Sequence, residues 1–84
     1  MNKMVLYGTG FCPFCIRAKQ LLNHKNIDFE EIRVDKDSEQ RAIMRERSGR
    51  TSVPQIFFGD HHIGGCDELY ALERKGELDT LLAS

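Results

Sequence analysis

Hydrophobic residues along the chain fall into short segments whose spacing alternates between that of a strand and that of a helix. Met4–Tyr7 is continuously apolar and ends at a glycine, which is typical of a strand buried on both faces. Apolar residues then recur every three or four positions from Pro13 to about Lys25, as on one face of a helix. Pro13 suits the first turn of this helix, where a backbone N–H would have no partner. Asn26 is its predicted end.

A second strand and a second helix follow. Ile27–Val34 is rich in β-branched and aromatic residues and predicts a strand. Because a helix connects the two strands, we expect them to be parallel and joined by a right-handed crossover. Asp37 or Ser38 can cap the second helix, which Gly49 is expected to end.

The next segment predicts a β-hairpin. Gln55–Phe58 is a short apolar run, and Gly59-Asp60 suits a two-residue type II′ turn. His61–Gly64 then forms a short antiparallel fourth strand, on which we expect the two histidines to be exposed.

The C-terminal segment is predicted to be helical. Asp67 can cap a third helix, Gly76 interrupts it, and a last short helical segment carries Leu78, Leu81 and Leu82. The order βαβαββα predicts an α/β fold with one mixed four-stranded sheet flanked by helices.

Length and charge narrow the possible classes of protein. The chain has 84 residues, of which 40% are hydrophobic, so we expect one globular domain spanning residues 1–84. Its net charge of −1 argues against nucleic acid as the main partner. No apolar run approaches the roughly 20 residues needed to span a membrane. Neither is there a signal-peptide pattern, so we expect a cytoplasmic protein with reduced thiols.

Three cysteines carry the candidate chemistry. Cys12 and Cys15 form a C-x-x-C pair between a predicted strand and a predicted helix, which is a redox motif in that context. Cys12 would lie at the helix N-terminus, where backbone N–H groups and the helix dipole stabilise a thiolate nucleophile. Cys15 lies one turn further on, where it can close a disulfide with Cys12. We therefore assign attack to Cys12 and resolution to Cys15.

Two alternatives explain less of the sequence. A zinc site would use the cysteine pair with two of Cys66, His61 and His62, but the chain has no second C-x₂-C and no H-x₃₋₅-H. A simple peptide-binding module would leave the cysteine pair unexplained.

Three segments in this order resemble the dithiol (class I) glutaredoxin family, nearest to its bacterial glutaredoxin 3 type. They are Cys12–Cys15 (CPFC), Arg47–Gln55 (RSGRTSVPQ) and Ile63–Leu72 (IGGCDELYAL), and the resemblance extends over nearly the whole chain. It implies a thioredoxin-like fold, in agreement with the predicted order of elements. It also implies glutathione as co-substrate, with no metal cofactor.

The resemblance further implies where glutathione binds. Pro54 would follow a cis peptide bond beside the redox pair, and the backbone of Val53 would pair with the cysteine residue of glutathione. Phe14 would form one wall of the cleft.

The other end of glutathione would lie at the third helix. By the resemblance, Gly65, Cys66 and Asp67 belong to the binding site. The backbone N–H groups of Cys66 and Asp67 would hold the γ-glutamyl carboxylate, and the Asp67 carboxylate would face the ammonium group. The Cys66 thiol itself would take no part in turnover.

The glycyl carboxylate is the part of glutathione with the least defined partner. Arg41 matches a family position near that carboxylate. The family often has a lysine three residues before the first cysteine, but Thr9 stands there in this chain. Lys19, Arg41 and Arg50 are candidate replacements for the missing cation.

The resemblance implies a glutathione-dependent thiol–disulfide oxidoreductase that acts as a monomer. Its substrates would be glutathionylated proteins and protein disulfides such as that of ribonucleotide reductase, with electrons from NADPH through glutathione reductase. The alternative is a carrier of an iron–sulfur cluster or another metal, bound by Cys12 and glutathione. Cluster-binding members usually have Gly and Ser where this chain has Pro13 and Cys15, which argues against that alternative.

Overall fold

Four strands and four helices, in the order β-α-β-α-β-β-α-α, make up the part of the chain that the computed structural model describes, residues 3–83. The strands are β1 (Met4–Gly8), β2 (Phe29–Arg33), β3 (Gln55–Phe58) and β4 (His61–Gly64). The helices are α1 (Pro13–His24), α2 (Ser38–Ser48), α3 (Cys66–Arg74) and α4 (Glu77–Ala83). Within these residues, no helix is both long enough and apolar enough to cross a membrane.

The strands form one mixed sheet in the order β2-β1-β3-β4. β1 pairs with β2 in parallel, whereas the β1–β3 and β3–β4 pairs are antiparallel. The predicted α/β architecture and the predicted parallel and antiparallel pairs are therefore confirmed.

Apolar side chains cover both faces of the sheet. Met4 and Leu6 of β1 pack with α1, α3 and α4, whereas Tyr7 packs on the opposite face with Met44 of α2. This alternation follows from the two-residue period of a strand. Each fully buried large apolar side chain contributes about 1.5–3 kcal/mol, so both layers are needed in a chain of this size. The continuous apolar run in β1 thus reflects burial on both faces, as predicted.

The second strand is shorter than the predicted Ile27–Val34. Asn26 adopts a left-handed conformation with φ 59°, and the N–H of Ile27 donates to Leu22 O at 2.9 Å. Ile27 therefore belongs to the end of α1 and not to the strand ladder. Phe29 packs in the layer of α1, and Ile32 packs in the layer of α2.

The ends of α2 are those expected from the sequence. The Asp37 carboxylate accepts hydrogen bonds from the backbone N–H groups of Glu39 at 3.0 Å and Gln40 at 3.2 Å. Gly49 ends the helix in a left-handed conformation with φ 72°, which glycine adopts without steric cost.

The prediction that Asp67 caps α3 is wrong. The cap residue is Gly65, and Asp67 lies within the first turn. The Glu68 carboxylate accepts the Gly65 N–H at 2.7 Å. In a capping box, the side chain of the third helical residue accepts a hydrogen bond from the N–H of the cap residue, as Glu68 does here. The reciprocal bond is not made, because glycine has no side chain.

The prediction for the hairpin histidines is only half confirmed. Gly59 has φ 62°, as a tight two-residue turn requires, and His61 is exposed. His62 is half-buried, because its ring stacks on Phe57 with 4.7 Å between ring centroids.

Removal of the Asp37 cap provides a test of the described α2 start. We expect Asp37→Ala to lower the free energy of unfolding by about 1 kcal/mol, because two helix N–H groups lose their acceptor. Denaturant unfolding followed by circular dichroism measures this change. Ser38→Ala is the control, since the neighbouring hydroxyl does not cap the helix. An equal loss of stability in both variants would contradict the assignment.

Candidate active site

The two cysteines of the C-x-x-C pair lie where the chain passes from β1 into α1. Cys12 is the N-cap residue of the helix and is half-buried, and its carbonyl accepts the Ile16 N–H at 3.1 Å. Pro13 occupies the first helical position, as predicted. Cys15 lies one turn along the helix and is fully buried. Both thiols are free, so the structure represents the reduced state.

Cys15 is enclosed by the end of β1. A Cβ atom placed on Gly8 would lie 3.0 Å from the Cys15 sulfur, so the absence of a side chain there relieves a tight contact with this thiol. Burial raises the pKa of Cys15 to about 11, although the Thr9 N–H donates to its sulfur and offsets part of that effect. Cys15 is therefore a thiol at neutral pH, and it is shielded from solvent.

Cys12 faces a second segment of the chain, the loop that precedes β3. Its Sγ donates a weak hydrogen bond to the Val53 carbonyl at 3.8 Å. The following peptide bond, between Val53 and Pro54, is cis, as the resemblance implied. The nucleophile predicted from the sequence thus lies directly beside the predicted peptide-binding backbone.

A cleft of about 250 Å³ opens beside this contact. Six of the seven residues predicted to bind glutathione line it: Phe14, Val53, Pro54, Gly65, Cys66 and Asp67. Arg41, the seventh, lies on α2 and is not part of the lining. The Phe14 ring is 51% exposed, so it forms an open wall that a ligand could cover.

Four further residues line the cleft: Arg50, Ser52, Gln55 and Glu68. Arg50 was predicted only as a replacement cation, and the other three were not predicted to belong to the site. Glu68 could have been found, because a Glu three residues after Gly65 has capping-box spacing. Ser52 and Gln55 have no distinctive pattern beyond their position on either side of Val53-Pro54.

The N-terminus of α3 gives one end of the cleft its electrostatic character. The Glu68 carboxylate accepts a hydrogen bond from the Gly65 N–H, and Arg50 Nη1 donates to the same carboxylate at 3.1 Å. The Gly65 N–H and Arg50 together lower the pKa of Glu68. The N–H groups of Cys66 and Asp67 lie in the first turn, where a helix provides no acceptor for them. This end of the cleft can therefore receive a carboxylate.

Cys66 has little access to solvent. Only 5% of its surface is exposed, it packs in the apolar layer of α1 and α3, and burial raises the pKa of its thiol. These observations support the expectation that Cys66 contributes its backbone and not its sulfur.

A charged pair fixes the loop that leads to Cys12. Arg33 donates two hydrogen bonds to the Asp35 carboxylate, at 2.9 and 2.8 Å, and the Gly10 N–H donates to Asp35 at 3.4 Å. Mainly because of the Arg33 bonds, the pKa of Asp35 falls to about 2. A Cβ atom at Gly10 would clash with the Arg33 guanidinium, so a side chain there would require that guanidinium to move.

Only one of the three candidate replacements for the family lysine lies at the cleft. Lys19 pairs with Glu31 at 2.8 Å and Arg41 lies elsewhere, whereas Arg50 lines the cleft. Thr9 belongs to the loop between β1 and α1.

The arrangement required by the zinc alternative does not form in the described part of the chain. Among residues 3–83, no group of three or more His, Cys, Asp or Glu side chains could hold a metal ion. His61 is exposed on β4, and Cys66 is buried in an apolar layer.

Comparison with known proteins reveals close relatives over the full chain. The family model described as Glutaredoxin matches residues 4–63. The Glutaredoxin of Pseudomonas aeruginosa is 54% identical over 84 residues, which cover 100% of both chains. Glutaredoxin 3 of Escherichia coli K12 is 50% identical over 82 residues, which cover 98% of this chain and 99% of the relative.

Solved structures share the fold. The solution structure of glutaredoxin from Brucella melitensis superposes with a TM-score of 0.85 and 52% identity, over 98% of this chain and 89% of that one. The crystal structure of the buckwheat glutaredoxin–glutathione complex gives a TM-score of 0.88 at 30% identity, over 98% of this chain and 77% of that one. The predicted thioredoxin-like fold is confirmed.

The different burial of the three thiols provides a test by alkylation. At pH 7, we expect iodoacetamide to modify Cys12 of the reduced native protein and to leave Cys15 and Cys66 unmodified, because both are buried thiols with raised pKa values. Peptide mass spectrometry measures the modification at each site. In guanidinium chloride, all three should react. Modification of native Cys15 as fast as that of Cys12 would contradict the described burial.

The Arg33–Asp35 pair can be tested by titration. We expect Arg33→Gln to raise the pKa of Asp35 from about 2 toward its ordinary value of 3.8, because the main stabiliser of the carboxylate is lost. Carboxyl chemical shifts in NMR follow this titration. Lys19→Gln, which removes a different ion pair, should leave it unchanged. An Asp35 pKa that stays near 2 in Arg33→Gln would refute the assigned cause.

Proposed function

Because the chain belongs to the glutaredoxin family, we propose that it is a glutathione-dependent thiol–disulfide oxidoreductase. Its substrates are glutathione mixed disulfides and protein disulfides. The observation that carries this proposal is the difference in burial between the two cysteines at the start of α1. Cys12 is half-buried and contacts the wall of the cleft at Val53, whereas Cys15 is buried one turn behind it. This arrangement suits a nucleophile with a protected resolving thiol.

In the proposed complex, glutathione lies extended along the cleft. Its cysteine backbone pairs with the main chain of Val53, in the manner of an added strand. Its γ-glutamyl carboxylate accepts from the N–H groups of Cys66 and Asp67, and the Asp67 carboxylate faces its ammonium group. Phe14 covers one side. The buckwheat relative, whose structure is a complex with glutathione, supports this choice of ligand.

Two cations are proposed as partners of the glycyl carboxylate. Arg41 remains a prediction for it, and Arg50 is the cation that lies in the cleft itself.

Reduction of a glutathione mixed disulfide requires only Cys12. The Cys12 thiolate attacks the glutathione sulfur, a Cys12–glutathione disulfide forms, and the substrate leaves as a thiolate that takes up a proton. The thiolate of a second glutathione then attacks the glutathione sulfur of that mixed disulfide. Glutathione disulfide leaves, and Cys12 is again a thiolate.

Reduction of a protein disulfide uses both cysteines. Cys12 forms a mixed disulfide with one substrate sulfur, and the other substrate sulfur leaves as a thiolate. Cys15 then attacks the Cys12 sulfur, which releases the second substrate thiolate and closes the Cys12–Cys15 redox-active disulfide. Since Cys15 is a thiol before it attacks, the departing substrate thiolate can accept its proton. Two glutathione molecules then restore the dithiol.

The cellular setting of the protein is proposed to be the one that the resemblance implied. Glutathione reductase regenerates glutathione with electrons from NADPH, and the protein substrates include the disulfide of ribonucleotide reductase. The chain acts as a cytoplasmic monomer, without nucleic acid, membrane or metal. The free cysteines and the net charge of −1 are compatible with that setting.

Cysteine variants test the proposed roles. Turnover of a small glutathione mixed disulfide, coupled to glutathione reductase and NADPH, should fall at least about 100-fold in Cys12→Ser, because the nucleophile is lost. Cys15→Ser should retain this activity within about threefold, because glutathione itself resolves the mixed disulfide.

A protein disulfide substrate provides the complementary measurement. Its reduction should depend on both cysteines, while Cys66→Ser should behave like the wild type in both assays. Full activity of Cys12→Ser would contradict the proposed function.

A further inference from the structure

A buried polar side chain lies directly beneath the cleft. Among residues 3–83, Gln55 is the only amide or charged residue that is buried, with 1% of its surface exposed. It is the first residue of β3 and pairs with Tyr7 of β1. A buried amide is stable only where its oxygen and nitrogen both find partners, so the partners of Gln55 are part of the structure of the site.

Both ends of the Gln55 amide are engaged. Its Nε2 donates to the Ser52 carbonyl at 3.0 Å and to the Ser52 hydroxyl at 3.3 Å. Its Oε1 lies 2.7 Å from His62 Nε2. A carbonyl only accepts, so the amide nitrogen must point to Ser52 and the amide oxygen must point to His62. His62 Nε2 therefore carries the proton and acts as the donor.

The donor is itself held rigidly. His62 lies on β4 opposite Phe57 of β3, and the two rings stack with 27° between their planes. The Ser52 carbonyl, which accepts the hydrogen bond from the other end of the Gln55 amide, has no such support from the sheet. Ser52 and Val53 lie in a bend outside the sheet. The bonds thus connect a fixed ring in the sheet to the main chain of a loop.

That loop is the part of the cleft that meets Cys12. Ser52 and Val53 both line the cleft, and the Val53 carbonyl accepts the weak bond from Cys12. An amide that loses the His62 donor leaves Oε1 buried without a partner. If the amide rotated to find another partner, its hydrogen bond to the Ser52 carbonyl would break. The main chain of the next residue, Val53, would then be free to change its orientation.

We propose that His62 is a positioning residue for glutathione: through Gln55 it fixes the Ser52–Val53 main chain in the orientation that binds the tripeptide. This inference rests on the proposed function and adds to it a residue outside the cleft. His62 does not line the cleft itself, and its hydrogen bond to the lining is made through Gln55. We therefore expect its loss to weaken substrate binding and to leave the chemical step unchanged.

The test compares three substitutions on β4. His62→Phe keeps a ring to stack on Phe57 but has no donor. His62→Gln restores an N–H donor without the aromatic ring. His61→Phe is the matched control, because it makes the same change at the exposed neighbouring position, which has no bond to Gln55. Thermal unfolding of each variant reports whether it is folded.

The readout is steady-state turnover of glutathionylated β-mercaptoethanol at saturating glutathione. We expect His62→Phe to raise KM about five- to tenfold with kcat within about twofold of wild type, the pattern of lost binding. His62→Gln should recover most of the wild-type KM, and His61→Phe should match the wild type. A role limited to stability would lower the unfolding temperature without this difference between KM and kcat.

A second variant keeps the test informative if His62→Phe does not fold. Gln55→Met removes the amide with little change in volume and should raise KM by a similar factor. In the double variant with His62→Phe, the two effects should not add, because both break one chain of bonds.

The possible failures are distinguishable. Absence of turnover in the wild type would refute the proposed function and the inference with it. Normal turnover in the wild type, together with an unchanged KM in His62→Phe or Gln55→Met, would overturn the inference alone. An equal rise of KM in His61→Phe would overturn it as well, since that residue has no part in the bonds.

Discussion

The close approach of β1 and α1 at Gly8 and Cys15 is the constraint on which the site depends. A glycine at the end of the strand lets the helix pack against the sheet with one thiol enclosed between them. The first residue of the C-x-x-C pair then necessarily lies at the open helix end, next to the loop that carries Val53. A Cβ atom at position 8 would lie 3.0 Å from the Cys15 sulfur, so the glycine keeps the contact between strand and buried thiol free of crowding.

One loop and one helix end line the cleft, and a second loop leads to Cys12. Each of the three is stabilised by a different kind of interaction. The Arg33–Asp35 pair holds the loop before Cys12 through Gly10. Buried amide hydrogen bonds hold the loop before β3. The carboxylate of Glu68 caps the first turn of α3. These polar interactions surround the two apolar layers on the faces of the sheet. The packing of those layers brings the helices and strands of the site together.

The sequence predicted most of this arrangement because local patterns determine most of it. The apolar run of β1, the proline of α1 and the Asp37 cap each predict an element from a few neighbouring residues. The cap of α3 was assigned wrongly, because Asp67 has the preferred cap chemistry, whereas the actual cap is Gly65, whose N–H donates to the Glu68 carboxylate. His62 was also misjudged. Its burial comes from stacking on Phe57, a contact across two strands that hydrophobic periodicity in one strand does not reveal.

The burial of Cys15 has a consequence for the return half of the proposed cycle. Once a disulfide joins the two cysteines, glutathione can reach only the sulfur of Cys12, so Cys15 must be the leaving group. Thiols with a high pKa leave slowly, and the pKa of Cys15 is about 11. In the proposed cycle, this raised pKa is expected to slow glutathione attack on the intramolecular disulfide, and the route through Cys12 alone avoids that step.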